Sequence, residues 1–219
     1  MNTVEVCGRL QGDLCLSHET RSGKKMYTGK VLVTRLSGVQ DEIPITVPIW
    51  MVQRVQTQAL YGRPVMLKGQ LRSYVWGVDG KGQTRVMLHV QEAESALEST
   101  TNNVQLTGTI SRAPVFRSTP FGRRICDVML IVKRAYGKNS YIPCVAWGYS
   151  AELLSKRKVG DQLTVFGRIQ SREYEKVLDG GEKIKRTVQE VSIFRMDMEG
   201  KTSECKREGE NGPDILRKQ

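Results

Sequence analysis

Arg123 and Arg124 follow a Pro-Phe-Gly turn, Lys133, Arg134 and Lys138 gather around a second turn, and Arg172 and Lys176 stand on either side of Tyr174. Cations interleaved with flat rings suit a flexible polyanion with open bases: the cations meet phosphates and the rings meet base faces. The chain carries 34 Lys and Arg against 23 Asp and Glu, a formal net charge of +11, which points to a polyanionic partner. The excess is uneven. Residues 1–98 hold 12 basic against 9 acidic side chains, residues 99–198 hold 17 against 9, and residues 199–219 are balanced. Lys24, Lys25, Lys30, Arg35 and Arg72 are the corresponding candidates in the first half, and "SKRK" (155–158) reads as the exposed face of a short helix.

Catalytic chemistry finds little to work with. His18 and His89 have no set of Asp or Cys partners near them in sequence, and His89 alternates within a strand pattern, as a structural residue does. There is no phosphate-binding G-x-x-x-x-G-K-[ST] loop, no G-x-S-x-G elbow and no carboxylate pair at metal-ligand spacing. No enzyme, cofactor or metal is expected. Cys7, Cys15, Cys126, Cys144 and Cys205 are odd in number and scattered, so they read as reduced thiols. No apolar run approaches the roughly 18 residues of a membrane span, and the strand pattern begins at once without a leader. A cytoplasmic protein with no membrane association is expected.

The elements that must carry these groups are short and repeated. "NNVQLTGTI" (102–110) follows "NTVEVCGRL" (2–10), "YIPCVAW" (141–147) follows "EIPITVP" (42–48), and "LTVFGRI" (163–169) follows "VMLKGQL" (65–71). The offset drifts from 100 to 99 to 98, which predicts two copies of one small domain differing by little more than single-residue loop changes. Within a copy, Val4, Val6 and Leu10, Val31 and Val33, Val65, Leu67 and Leu71, and Val86, Leu88 and Val90 alternate with polar residues as strands do. Gly8, Gly69, Gly108 and Gly167 fall where a small closed barrel bends. Helical spacing occurs once per copy, at 51–60 and 150–158, each closed by a glycine, Gly62 or Gly160.

Three strands, a short helix and two strands is the order of an oligonucleotide-binding (OB) barrel. The expected fold is therefore all-β with one short helix per domain: two tandem OB-fold, five-stranded barrels. The expected domains are 1–95 with a degenerate groove, a linker at 96–102, 103–198 with the main groove, and a disordered tail at 199–219.

At this point the chain resembles the bacterial single-stranded DNA-binding proteins together with their relative primosomal replication protein N. The likeness is carried by "VQLTGTISRAPVFRSTPFG" (104–122), "VAWGYSAELLSKRKVGDQLTVFGRIQSREY" (145–174), "GRPVMLKGQLRSYVW" (62–76) and "GKGQTRVMLHVQEAE" (80–94). It covers nearly 190 residues and stops at the tail. The resemblance implies stacking aromatics at the two ends of the third strand and the outer end of the fourth, which the second copy fills with Tyr141, Trp147 and Tyr174. The first copy has Glu42, Pro48 and Trp76 there, so it keeps one ring of three. Tyr149, Phe121, Trp50 and Tyr74 are further candidate rings, beside the cations Arg123, Arg124, Arg134, Lys138, Arg172, Lys176 and Arg72. Relatives that serve replication end in an acidic tail with a terminal aromatic; this chain ends "PDILRKQ".

The expectation is a non-enzymatic, sequence-tolerant binder of single-stranded DNA serving replication, repair or a mobile element, and acting as a homodimer of tandem-barrel chains. Two alternatives stay open. One is a primosome-type adaptor docking replication proteins, with weak single-strand binding; the other is an RNA-binding OB protein.

Overall fold

A computed structural model describes residues 1–76, 83–177 and 183–198. In the first half the predicted alternation forms strands β1 (Asn2–Glu19), β2 (Lys25–Thr34) and β3 (Gln40–Pro48), then helix α1 (Ile49–Leu60), then β4 (Val65–Trp76) and β5 (Gln83–Ser95). Antiparallel pairings β1 with β2, β2 with β3, β4 with β5 and β1 with β4, plus a short parallel contact of β3 with β5, close the ring. The second half repeats the scheme with β6 (Asn102–Ile110), β8 (Arg124–Lys133), β9 (Asn139–Trp147), α2 (Gly148–Ser155), β10 (Gln162–Val177) and β11 (Lys183–Met198). Its ring closes in the same way, including the parallel contact of β9 with β11. Both rings are five-stranded OB barrels.

The alternating inward residues fill each ring. Val31, Val33, Ile43, Ile45, Leu67, Leu71 and Leu88 are buried in the first, and Leu106, Leu130, Ile142, Val165, Ile169 and Val191 in the second. Burying one such side chain contributes about 1.5–3 kcal/mol. Met51 and Val55 of α1, and Ala151 and Leu154 of α2, are the buried faces of the two helices. Gly62, with φ +60, donates its N–H to the Ala59 carbonyl and ends α1 in the left-handed conformation that glycine adopts without strain. Gly69 and Gly167 sit at bulges where a Cβ would run into the carbonyls of His89 and Ser192, so neither strand could close its barrel with a side chain there.

Three details depart from the sequence expectation. "SKRK" is not a helical face: α2 ends at Ser155, and Arg157 donates to the Leu154 carbonyl while the Lys158 N–H is taken by Asp161, making a turn. Pro114 interrupts the first strand of the second ring, so a separate β7 (Val115–Ser118) pairs with β8, whereas β1 runs unbroken to Glu19. The loop differences also exceed single residues. Leu71 pairs with Leu88 and Ile169 with Val191, so the offset between equivalent strands rises from 98 on the fourth to 103 on the fifth.

The two barrels share one sheet. β1 runs antiparallel to β6 with Val4 opposite Val104, and the register is symmetric about that pair: Asn2 opposite Leu106, Val6 opposite Asn102. Asn2 bonds both backbone groups of Leu71, and Asn102 does the same to Ile169. These amides fasten the start of each first strand to the fourth strand of its own ring at matching places.

Candidate nucleic-acid interface

On β9 the inward residues Ser140, Ile142, Cys144 and Ala146 are buried, which turns Tyr141 and Trp147 to the opposite face. Tyr141 is 46% and Trp147 41% exposed, so each is partly covered and partly open to solvent. Across the ladder Tyr141 faces Ile131 and Trp147 faces Ile125, aliphatic supports from β8. Tyr174, half-buried on β10, is paired with Arg186 of β11. The Arg172 guanidinium lies 6.0 Å from the Tyr174 ring centroid and donates through Nε to Glu190 at 3.4 Å. Glu190 also accepts from Gln170 at 2.9 Å. An aromatic ring backed by a cation is a stacking platform that keeps positive charge beside it for a phosphate.

The turn after β7 carries the next group. Phe121 is 92% exposed at its tip, with Arg123 and Arg124 exposed behind it; the Arg123 N–H is held by the Thr119 hydroxyl, and Arg124 is ion-paired with Glu152 of α2. Tyr149 is exposed on the first turn of α2. Between β8 and β9 a single 3-10 turn (Ala135–Gly137) projects Tyr136 into solvent from a left-handed backbone (φ 59), and Lys138 is exposed just after it. Such a conformation is unfavourable for a tyrosine and concentrates at functional loops.

Two cations missed by the sequence reading belong here. Arg117 on β7 donates to Asp127 of β8 at 2.8 Å, and Arg186 lies opposite Tyr174. The short β-prone run "VFRS" between Pro114 and Pro120 was the signal for the first. Neighbouring strands, not sequence spacing, bring in the second.

The first barrel differs at both ends of its third strand. Glu42, where Tyr141 stands in the second, is held by Lys30 at 2.7 Å, so that carboxylate and that cation neutralise one another. Pro48 replaces Trp147. Trp50 is 71% exposed, but it stands on α1 beside a depression with Arg54, Thr57, Gln58 and Glu94, on the helix side of the barrel. Tyr74 and Arg72 are half-buried and bonded to each other, next to the second barrel. The side chains of Trp76 and Lys176 lie outside the described residues, as does the tail at 199–219.

His89 is not a reactive group. Burial, and then the positive charges of Arg72, Arg134 and His18, lower its pKa to about 4, so the ring is neutral near pH 7 and bonds Thr46 at 3.1 Å. Cys7, Cys126 and Cys144 are buried with raised pKa values, Cys126 to about 11, in each case chiefly because burial penalises the thiolate. No group of three or more metal-ligating side chains occurs among the described residues, and no described helix is long and apolar enough to cross a membrane.

Residues 101–198 match the Single-strand binding protein family. A relative matches as well: over 109 residues the chain is 36% identical to single-stranded DNA-binding protein 1 of Lactococcus lactis subsp. lactis, covering 46% of this chain and 71% of that one. The chain belongs to the single-strand binding protein family. The family is non-enzymatic, and this member is not an enzyme. Single-stranded DNA-binding protein 1 of Streptococcus agalactiae is 36% identical over 81 residues, which span 34% of this chain and 50% of that relative. Among solved structures, the wild-type single-stranded DNA binding protein from Thermus aquaticus superposes with a TM-score of 0.69 at 20% identity, covering 99% of this chain and 97% of that chain. That likeness extends to both barrels and concerns the fold.

Proposed function

We propose that the chain binds single-stranded DNA with little regard to sequence, through the open face of the second barrel. The observation that carries this reading is the placement of Tyr141 and Trp147 at the two ends of one strand, both half-open, with Tyr174 backed by Arg172 two strands away. Bases stack on the rings, and Arg123, Lys138 and Arg172 track the phosphates. The names of the relatives point the same way. Residues 1–95 and 103–198 act as the two domains, the first with a degenerate groove that adds reach and raises effective concentration.

The proposed setting is the cytoplasm, in DNA replication, repair or mobile-element maintenance, with replication proteins as partners. The proposed assembly is a homodimer of tandem-barrel chains. Its contact face is the outer surface of the shared sheet, where Phe194 is exposed beside Phe166 and the junction of β1 with β6.

The deciding experiment is a tryptophan-fluorescence titration with oligothymidine at two salt concentrations, beside duplex of equal length. Quenching by the single strand alone, weakened by salt, is expected. Equal binding of duplex would defeat the stacking argument and bring the adaptor reading forward.

A further inference from the structure

The symmetry of the shared sheet creates two junctions where the third strand of one barrel meets the fourth strand of the other. At the first, Asp41 of β3 accepts from the Ser171 N–H at 2.7 Å. At the second, Ser140 of β9 accepts from the Ser73 N–H at 3.2 Å, and Ser73 accepts from the Tyr141 N–H at 2.8 Å. Arg35 and Arg134 are equivalent: each donates its backbone N–H to the carbonyl that closes its hairpin, Val39 and Lys138 respectively.

Identical backbones carry opposite electrostatics. At the first junction the Arg35 guanidinium is neutralised by a bidentate bond to Asp41, at 2.6 and 2.7 Å, and feels the charge of Glu190, to which Gln170 is tied. At the second junction a serine replaces the aspartate and Arg72 replaces the glutamine. Two guanidinium groups, Arg72 and Arg134, therefore bear on each other and on His89 with no carboxylate at the corresponding positions. The Nε of each is buried and has no hydrogen-bond partner among the described residues. Burial, and more weakly the charge of Arg134, hold the Arg72 pKa below its ordinary value, while Tyr74 opposes the shift. A buried donor on a cation is unfavourable until an acceptor, best an anionic one, meets it.

We infer that this second junction is a phosphodiester-binding site, at which Arg72 of one barrel and Arg134 of the other grip the backbone of a single strand crossing between barrels. The crossing is one-sided, because the first junction has its own internal carboxylate, Asp41, to neutralise its cation. This assignment takes Arg134 out of the single-barrel groove and makes it a bridging residue. It rests on the single-strand binding proposed above.

The test uses the whole chain with oligothymidines of about 8 and about 32 nucleotides, one within a single barrel's reach and one long enough to span two. Binding is followed against salt for wild type, Arg72→Gln, Arg134→Gln and the double variant. On the longer oligomer the slope of log affinity against log salt is expected to fall by about 0.7 for each substitution, with a smaller fall on the shorter one. An unchanged slope, or equal loss on both lengths, overturns the inference. A second measurement needs no variant to fold: the Nε–H resonances of Arg72 and Arg134 in the wild type should shift together on adding the longer oligomer. Unmoved resonances alongside quenched tryptophan fluorescence sink the junction site and leave the proposed function standing; absent quenching and unmoved resonances sink both.

Discussion

Asp41 of the first barrel accepts a hydrogen bond from the backbone N–H of Ser171 in the second, at 2.7 Å, with none of the aspartate exposed to solvent. The same carboxylate takes the Ser171 hydroxyl at 3.1 Å and both donors of the Arg35 fork, so one side chain closes a strand edge and neutralises a half-buried cation. It is a fastener between barrels.

Removing that carboxylate should be costly. Asp41→Ser places there the residue the second barrel uses at Ser140, yet it strands Arg35 and the Ser171 N–H. Breaking a buried pair from one side costs about 3–5 kcal/mol, and urea unfolding should show a loss of that order. A loss below about 1 kcal/mol would mean that water replaces the carboxylate and the junction is looser than drawn.

Gly69→Ala and Gly167→Ala should each destabilise the chain, because the new methyl group meets backbone carbonyls of His89 and Ser192 that cannot swing aside. A loss of about 2 kcal/mol or more in chemical denaturation is expected, within the upper range of single substitutions. Gly12→Ala, where nothing lies within 4 Å, meets only the strain of its φ of +69 and should cost less.

Stability should depend on pH through His89. Its pKa is about 6.5 when the chain is unfolded and about 4 in the folded protein, so the unfolded state binds the proton more readily between those values. The contribution of neutral His89 is complete above pH 6.5 and is lost as pH falls towards 4. Thermal melts across that window should fall in wild type and flatten in His89→Asn, which keeps an acceptor for Thr46. Parallel curves would show that other groups govern the decline.

Strand binding should be lopsided. Trp147→Ala and Tyr174→Ala are each expected to weaken oligothymidine binding by about 1–3 kcal/mol, the value of one base stacked on one ring. Trp76→Ala should weaken it less, since its barrel presents the Lys30 and Glu42 pair and Pro48 where the second presents Tyr141 and Trp147. Fluorescence anisotropy of a labelled oligomer measures the order, and the reverse order would make the first barrel the dominant groove.

Much of this was open to reading in the residues themselves. Alternation of Val31 with Val33, or Leu67 with Leu71, determines which face of a strand enters the core, because a strand turns successive side chains to opposite sides and water penalises the wrong choice. The same rule, run from buried Ile142 and Cys144, turns Tyr141 and Trp147 outward together. Strand order and the helix in each barrel followed from such local periodicity, and the candidate rings from the family resemblance.

Tertiary structure alone decided the company that each candidate cation keeps. Lys30, Arg35, Arg124 and Arg172 are all basic in sequence, yet each meets a carboxylate contributed by another strand or helix: Glu42, Asp41, Glu152 and Glu190. Arg72 belongs to the first barrel and Arg134 to the second, and they act on one another only because β1 pairs with β6. Periodicity is a property of neighbours along the chain, whereas the charge state and company of a side chain depend on long-range contacts that no local pattern encodes.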